Sequence, residues 1–463
     1  MMSTFDLKQA LSWVSGQPSG AWQDDVRFEN VSTDTRNIGA GDLFVALRGD
    51  NFDGHRFIGA ARESGAVAAV VDQADESEQL PQLVVEDTVN ALAALAAGNR
   101  DLSKARFVAV TGSNGKTTVR EMVAAILSRM GSTLATSGNL NNHIGVPLTL
   151  FRLTPEHKYA AIELGASGLG EIAHTVGIVR PDVAILTNAG QAHLEGFGSY
   201  ENIVQGKGEI IDGLADNGIA ILNYDDPAFE QWQKRAGNRR VVTVSGRGNR
   251  DAHYRPSDVQ IDGPEQRFTA HGPAGWHCDI RLSLQGEHNI TNALLAIAAS
   301  QAVGATDQAI QQGLAGLQAV TGRLQTLNLS SRWTVIDDSY NANPSSIRSA
   351  LKVLASRPGH RIAVLGAMAE LGSGAYDMHR DIGVYAKDQG VDRLLAVGAG
   401  SEGYVDGFGA GADACATHDE AVRRLFESSA DSQTVLVKGS RSSAMDRVVE
   451  GIKQKVGDAC CSG

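Results

Sequence analysis

The sequence Thr111-Gly112-Ser113-Asn114-Gly115-Lys116-Thr117-Thr118 lies between an apolar, strand-like run and a helix-like segment. This is the arrangement of a phosphate-binding loop, in which glycines let backbone N–H groups turn toward phosphate oxygens. Lys116 can reach the terminal phosphates, and Thr117 can offer a hydroxyl to Mg²⁺. The full Walker pattern has a further glycine where this chain has Val110. The stretch therefore matches the Walker pattern only in part. It predicts nucleotide binding, and the alternative is an ordinary turn between a strand and a helix.

The composition bounds the class of protein. The chain has 463 residues and a net charge of −12, which weighs against nonspecific binding to nucleic acid or to an anionic membrane. The first 20 residues lack the apolar core of a signal peptide, and two charge-free stretches, residues 131–151 and 289–306, are too polar to span a bilayer. The four cysteines have no ligand-like spacing. We therefore expect a cytoplasmic protein without membrane insertion.

Strand-like and helix-like segments alternate after the loop, which predicts a mostly parallel α/β sheet. The stretch 249–285 breaks this alternation and is expected to form a small antiparallel appendage. Alternation resumes near residue 333, which indicates a second α/β unit. With the length and the short strand-like pieces at the start, we expect three domains, over residues 1–85, 86–318 and 319–463.

Polar residues follow several predicted strands, where ligands of parallel sheets collect. Glu163 could hold Mg²⁺ and His193 could contact metal or phosphate, although an exposed glutamate and a structural histidine are the alternatives. Lys207 reads as an ordinary helix lysine. The segments 337–344 and 438–441 also follow strands; they could bind a substrate, or be a helix-capping turn and a solvated basic turn.

Several motifs together resemble those of the Mur ligase family. Its phosphate loop also lacks the first Walker glycine. The resemblance spans nearly the whole chain, in Ser32-Thr33-Asp34-Thr35-Arg36, Gly138-Asn139-Leu140-Asn141-Asn142, Ile144-Gly145-Val146-Pro147-Leu148-Thr149, Glu163-Leu164-Gly165-Ala166, Gly286-Glu287-His288-Asn289, Asp337-Asp338-Ser339-Tyr340-Asn341-Ala342-Asn343-Pro344 and Lys438-Gly439-Ser440-Arg441-Ser442.

The resemblance implies three domains: a small N-terminal α/β domain for a uridine nucleotide substrate, a central phosphate-loop ATPase, and a C-terminal Rossmann-like domain. It implies roles by position. ATP would be held by Gly112, Asn114, Gly115, Lys116, Thr117, Thr118, Asn289, Asn292, Arg323 and Asp338. Mg²⁺ would be bound by Thr117, Glu163, His193 and Lys207, with Lys207 carbamylated in several relatives. The catalytic set is Lys116, Glu163, His193 and Lys207. Substrates would contact Ser32, Thr33, Asp34, Arg36, Asn141, Asn142, Tyr340, Asn341, Lys438, Ser440 and Arg441.

The implied activity is that of an ATP-dependent, ADP-forming ligase that adds D-alanyl-D-alanine to UDP-N-acetylmuramoyl tripeptide through an acyl phosphate. The small-molecule partners would be ATP and these two substrates. Its product would be a peptidoglycan precursor, and we expect a monomer. Rival interpretations are another Mur-type or a folate polyglutamylating amino-acid ligase, a nucleotide-gated switch or kinase, and a noncatalytic nucleotide-binding protein. The chain departs from the family at Ala367, where aspartate is common, and at Ser167-Gly168, where relatives often have Asn-His. No role is carried over to those positions.

Overall fold

The computed structural model describes residues 4–49, 52–262, 265–427 and 432–461. Three larger sheets, of five or six strands each, organise these residues, and each has helices against it. In the part of the chain that is described, no helix combines the length and the apolar character needed to cross a membrane. Cys278 and Cys415 are buried free thiols, whereas the side chains of Cys460 and Cys461 lie outside the described residues.

The N-terminal unit contains a five-stranded sheet in the order β2-β9-β8-β5-β4, in which only β2 runs antiparallel to its neighbour. Two of the short strand-like pieces expected at the start of the chain, residues 42–47 and 67–71, contain β5 and β8. The elements are β1 Phe5–Asp6, α1 Leu7–Trp13, β2 Gly16–Ser19, β3 Arg27–Phe28, β4 Asn30–Ser32, β5 Asp42–Val45, β6 Arg48–Gly49, β7 Phe52–Asp53, α2 Ile58–Glu63, β8 Ala68–Val71 and β9 Gln82–Val85.

The central unit contains a six-stranded, fully parallel sheet in the order β11-β12-β10-β13-β14-β15. Its inner strands are apolar runs because helices cover both faces of the sheet. The elements are α3 Thr88–Leu102, β10 Arg106–Thr111, α4 Lys116–Leu127, β11 Thr133–Ala135, α5 Gly145–Leu150, β12 Tyr159–Glu163, α6 Glu171–Val179, β13 Val183–Leu186, α7 Leu194–Phe197, α8 Tyr200–Asp212, β14 Ile219–Asn223, α9 Phe229–Ala236 and β15 Arg240–Val244.

A three-stranded antiparallel sheet follows, as the polar, non-helical pattern predicts. Two helices then return to the central sheet and pack against α4, so that one apolar core joins the appendage to the central unit. The elements are β16 Arg255–Asp262, β17 Glu265–His271, β18 His277–Leu282, α10 His288–Ala302 and α11 Asp307–Ala315.

The C-terminal unit contains a six-stranded sheet in the order β19-β20-β24-β21-β22-β23, antiparallel only at β19. Separate apolar cores fill its two faces. The elements are β19 Gln325–Asn328, β20 Trp333–Asp338, α12 Pro344–Ala355, β21 His360–Gly366, α13 Ala375–Asp388, β22 Arg393–Val397, α14 Glu402–Phe408, β23 Ala412–Cys415, α15 His418–Leu425, β24 Gln433–Lys438 and α16 Asp446–Cys461.

The carboxyl ends of two parallel sheets meet around one cavity of about 750 Å³. The central sheet brings the ends of β10, β12 and β13 to it, and the C-terminal sheet brings those of β20 and β24. Ligands of parallel α/β sheets bind at this edge, so the fold places the candidate site between the two units.

Candidate active site

The phosphate loop connects β10 to α4 and needs glycine at two positions. Gly112 has φ 145° and Gly115 has φ 82°, both in the region that favours glycine. A Cβ on Gly112 would lie 2.0 Å from the Thr187 hydroxyl oxygen, and one on Gly115 would lie 2.7 Å from the Asn292 amide oxygen. Glycine is therefore required at both positions for two reasons: the backbone has a positive φ, and neighbouring polar side chains leave no room for a Cβ.

The loop that follows β13 fixes the shape of the phosphate loop. The Asn114 N–H donates to the Asn188 side-chain oxygen at 2.9 Å, and the Ser113 N–H donates to the Asn188 carbonyl at 3.0 Å. The Thr187 hydroxyl donates to the Asn114 carbonyl at 2.6 Å. These bonds satisfy loop groups before any phosphate binds, so the loop is preorganised.

Lys116 begins α4 and folds back over the loop. Its Nζ donates to the Gly112 carbonyl at 2.7 Å and to the Ser113 carbonyl at 3.2 Å. Burial lowers the pKa of Lys116, and the nearby charge of Glu163 opposes that shift. The positive end of α4 attracts phosphate, and phosphate oxygens bound there could replace both carbonyls as partners of the ammonium group.

Glu163 ends β12 with its carboxylate buried. Its Oε1 accepts a hydrogen bond from the Asn141 amide at 2.8 Å. Its Oε2 is buried without a hydrogen-bond partner among the described residues, and the Nε of buried Arg120, equally unpartnered, lies 3.9 Å from it. A buried carboxylate oxygen without a partner is costly, and it is the kind of donor that a magnesium ion takes.

Lys207 lies in α8 with its side chain completely buried. Its Nζ donates to the Ala166 carbonyl at 2.9 Å and lies 4.9 Å from the centre of the Phe197 ring. Burial lowers the pKa of Lys207 to about 7, and the charge of Lys116 adds to the shift. Near neutral pH, a large fraction of this amine is therefore uncharged.

His193 follows β13 and makes a contact across the two units. Its Nδ1 pairs with the carboxylate of Glu370, in the loop after β21. The Glu195 N–H also donates to the Glu370 carbonyl at 3.1 Å. Burial lowers the pKa of His193, and the charge of Glu370 opposes that shift.

The C-terminal side of the cavity carries a buried ion pair. Lys438 Nζ lies 2.6 Å from Asp338 Oδ2 and donates to the Asn341 carbonyl at 2.8 Å. Burial raises the pKa of Asp338, and the charge of Lys438 opposes the rise. Arg323 and Arg441 lie 4.4 Å and 5.7 Å from the Tyr340 ring centre. Three cations thus face the site on this side.

Direct hydrogen bonds join the phosphate loop to the C-terminal unit. The Asn114 amide donates to the Ser345 hydroxyl at 2.8 Å, and the Asn343 amide donates to the Asn114 side-chain oxygen at 2.8 Å. Within the C-terminal unit, the Ala367 carbonyl accepts from the Ser440 N–H at 3.1 Å and from its hydroxyl at 2.8 Å. The loop is therefore contacted by both sheets.

Most of the predicted site residues line the cavity. They are Asn114, Gly115, Lys116, Thr117, Thr118, Asn141, Asn142, Glu163, His193, Asn289, Asn292, Arg323, Asp338, Tyr340, Asn341, Lys438, Ser440 and Arg441. Gly112 and Lys207 lie directly behind the lining, bonded to Lys116 and Ala166.

The predicted substrate residues of the N-terminal unit lie outside the lining of this cavity. Ser32 ends β4, and the Ser32 hydroxyl donates to the Asp34 carbonyl at 3.1 Å. Hydrogen bonds from Arg36 lower the pKa of Asp34 to about 2. With Thr33, these residues form a separate polar turn, so their role in binding substrate stays a prediction.

Sequence reasoning gave no role to Arg120, Asn188 or Glu370, whereas Asn343 lies in the segment 337–344, whose helix-capping alternative is confirmed. Arg120 follows Lys116 by one helical turn, a spacing that places both on one face of α4. Asn188 comes directly after a predicted strand, as His193 does a few residues later. No local pattern indicates Glu370, because it contacts His193 across 177 positions of sequence.

Comparisons with known proteins cover the same three units. Three family profiles match: "Mur ligase family, catalytic domain" over residues 27–100, "Mur ligase middle domain" over residues 110–300, and "Mur ligase, glutamate ligase domain" over residues 322–441. The UDP-N-acetylmuramoyl-tripeptide–D-alanyl-D-alanine ligase of Escherichia coli K12 is 46% identical over 98% of this chain and 99% of its own length.

Solved structures agree in fold. MurF from Acinetobacter baumannii superposes with a TM-score of 0.92 at 33% identity, covering 98% of this chain and 99% of that one. MurF ligase from Thermotoga maritima, solved in complex with ADP, gives a TM-score of 0.85 at 27% identity, covering 93% and 98%. The predicted three-domain α/β architecture is confirmed, and the chain belongs to the Mur ligase family.

Proposed function

We propose that this chain is an ATP-dependent, ADP-forming amide ligase that joins D-alanyl-D-alanine to UDP-N-acetylmuramoyl tripeptide. The observation that carries the proposal is the 46% identity, over nearly the full length, to the Escherichia coli ligase of that name. The cavity supports it, because a phosphate loop and a cation-rich wall from a second unit face the same space. The product would be the pentapeptide precursor of peptidoglycan.

The reaction needs ATP because a free carboxylate does not react with an amine at neutral pH. Transfer of the γ-phosphoryl group to the terminal carboxylate of the tripeptide gives an acyl phosphate and ADP. The amine of D-alanyl-D-alanine attacks the carbonyl carbon and loses a proton, phosphate leaves with the C–O electron pair, and an amide remains. Positioned cations lower the barrier by offsetting charge on the phosphoryl oxygens.

The chain's own residues divide this work. Lys116 and the loop N–H groups would hold the terminal phosphates at the positive end of α4. Asn289 and Asn292, bonded to each other at 2.9 Å beside Gly115, would lie on the adenine side. Arg323 and Asp338 would reach ATP from the C-terminal unit, while Lys438 and Arg441 would attract substrate carboxylates.

The site fits a magnesium ion. Glu163 Oε2 is buried without a hydrogen-bond partner among the described residues, and Thr117, the second residue of α4, lines the same cavity. Among the described residues, no three His, Cys, Asp or Glu side chains form a ready-made metal cluster. Glu163, His193 and Thr117 would therefore hold the ion together with phosphate oxygens from ATP. When bound, Mg²⁺ supplies positive charge to the phosphoryl oxygens.

Carbamylation of Lys207 is part of the proposal. An amine adds to CO₂ only when neutral, giving a carbamate and releasing a proton. Burial lowers the pKa of Lys207 to about 7, which makes the neutral amine available. The carbamate would replace the buried amine with a carboxylate-like oxygen donor near the metal. A mass increase on the Lys207 peptide, lost after acid treatment, tests this step.

The proposal also covers the domain boundaries, the binding of the uridine end, the cellular location and the oligomeric state. We place the domain boundaries at residues 1–85, 86–318 and 319–463, with the polar turn at Ser32–Arg36 binding the uridine end of the substrate. We expect a cytoplasmic monomer, because ATP and nucleotide-linked precursors are cytoplasmic and the cavity is built within one chain.

An acceptor assay tests the function. The protein is incubated with ATP, Mg²⁺ and UDP-N-acetylmuramoyl tripeptide, and ADP release is measured with D-alanyl-D-alanine, L-alanyl-L-alanine, D-alanine or L-glutamate. We expect release only with D-alanyl-D-alanine, accompanied by the mass of the pentapeptide. Release that ignores the dipeptide would overturn the proposal, and glutamate addition to a folate would favour the polyglutamylating alternative. Tripeptides ending in diaminopimelate and in lysine identify the third residue.

A further inference from the structure

The contact between His193 and Glu370 joins loops of two different sheets. His193 Nδ1 pairs with the Glu370 carboxylate, and the Glu195 N–H donates to the Glu370 carbonyl at 3.1 Å. The first bond fixes the side chain of Glu370 and the second fixes its backbone. The two loops are therefore held in register at the edge of the cavity, which both His193 and Glu370 line.

Both partners have a strained backbone. His193 has φ 57° and Glu370 has φ 60°, a region that residues other than glycine rarely adopt. Such strain persists where surrounding contacts determine it and is concentrated at functional sites. A surface ion pair formed by chance needs no strain on either side, so the geometry of this pair favours a specific role.

The chemistry of imidazole indicates what that role is. A carboxylate that accepts the Nδ1 hydrogen fixes the tautomer in which Nε2 has a free lone pair. Histidines that bind metals are commonly held in this way by an outer carboxylate. Glu370 is in a position to do this, because its carboxylate contacts the His193 ring from the C-terminal unit. Its side chain is half exposed.

We propose that Glu370 is a positioning residue for the metal site: it orients His193 so that Nε2 can bind the ion. The inference rests on the proposed function, in which His193 is a metal ligand. Because Glu370 belongs to the C-terminal unit and His193 to the central unit, the metal site is complete only when the two units are docked. Metal affinity thereby depends on the contact between the units.

The test measures metal binding without turnover. Mn²⁺ is titrated into the full-length protein with saturating ADP, and free Mn²⁺ is followed by electron paramagnetic resonance. We expect Glu370→Ala to weaken Mn²⁺ affinity about tenfold. Glu370→Gln should recover part of the loss, because the amide oxygen still accepts from Nδ1. Glu195→Ala is the matched control, since it removes an exposed carboxylate two residues from His193 but keeps the backbone N–H that donates to Glu370.

A second set of variants in the same titration tests whether Glu370 acts through His193. In a His193→Ala background, adding Glu370→Ala should change Mn²⁺ affinity no further. Wild-type affinity in Glu370→Ala, or an equal loss with and without His193, would overturn the inference. A rise in the KM for D-alanyl-D-alanine at unchanged Mn²⁺ affinity would also overturn it, since Glu370 would then contact the acceptor. Because the titration contains neither tripeptide nor dipeptide, its outcome is independent of the acceptor assay.

Discussion

Lys116 and Lys207 show how the surroundings of a side chain determine its chemistry. Both are lysines near one cavity, and burial lowers the pKa of each. Lys116 has the Glu163 charge nearby and carbonyl groups that phosphate can replace, so it suits a cation that holds ATP. Lys207 is completely buried with one carbonyl partner, so it suits a neutral amine that can be modified.

Replacing Lys116 with alanine should lower kcat at least a hundredfold, because a positioned cation on the transferred phosphoryl group is lost. ADP release with all three substrates measures the effect. Lys234→Ala is the control, since this exposed lysine of α9 lies outside the cavity lining. Turnover that survives Lys116→Ala would support a noncatalytic nucleotide-binding protein.

Replacing Lys207 with methionine should stabilise the protein while abolishing turnover. The folded-state pKa of about 7 lies below the ordinary 10.5, so the folded state binds protons less readily than the unfolded state. The resulting penalty is complete below pH 7 and is relieved as the pH rises from 7 to 10.5. In bicarbonate-free buffer at pH 6, we expect the free energy of unfolding to rise by about 1 kcal/mol or more.

Urea denaturation at pH 6 and at pH 10 measures this difference. The stabilisation by Lys207→Met should be larger at pH 6 than at pH 10. An equal effect at both values would mean that the charge of Lys207 is not what destabilises the fold.

Some residues of the site could be predicted from the sequence, and others could not. Lys116 and Thr117 could be predicted because the phosphate loop is continuous in sequence, and Glu163 because it ends an apolar strand. The pairing of Arg120 with Glu163 and that of Glu370 with His193 could not, because each depends on how separate elements pack. Family resemblance supplied Lys207, for which the local pattern of α8 indicates only a surface lysine.

At the scale of elements, α12 links helix capping to the phosphate loop. Asn343 forms a capping box with Ser346, and its amide also donates to Asn114. Asn343→Ala should lower the free energy of unfolding by about 1 kcal/mol, because the cap is lost. Asn343→Asp keeps a capping oxygen but cannot donate to Asn114, so it should retain stability and raise the KM for ATP.

Urea denaturation and ATP kinetics distinguish the two effects of Asn343. If Asn343→Asp leaves the KM for ATP unchanged, the contact with Asn114 does not contribute to nucleotide binding. If Asn343→Ala retains full stability, the cap is dispensable.

The strands differ in how far they could be predicted. β10, β12, β13 and β24 are buried on both faces, so their apolar runs are visible in sequence. The two-residue strands such as β1 and β3 have no such pattern, since their pairing follows from tertiary packing. The order of strands within each sheet could not be predicted either, because it depends on crossovers rather than on composition.

At the scale of the whole molecule, the site is shared between units. The central unit provides the phosphate loop, and the C-terminal unit provides Lys438 and Arg441. A chain with a net charge of −12 thus concentrates cations where its anionic substrates would bind. Joining three substrates in a dry site requires these units to close on one another.

We expect the radius of gyration to fall when a nonhydrolysable ATP analogue, Mg²⁺ and UDP-N-acetylmuramoyl tripeptide are added together. Small-angle X-ray scattering measures the change. Lys116→Ala is the control, because it should lose the response to nucleotide. Identical scattering with and without ligands in the wild-type protein would contradict domain closure as part of the cycle.

Ala367 contributes to the site through its backbone. Its carbonyl, rather than its side chain, accepts both hydrogen bonds from Ser440. Any residue with a carbonyl in this place could do the same, so exchange of the aspartate common in the family for alanine preserves this anchor of the Lys438–Arg441 segment. A comparison of side chains alone would therefore overlook what position 367 contributes here, which is a backbone acceptor that holds Ser440 in place.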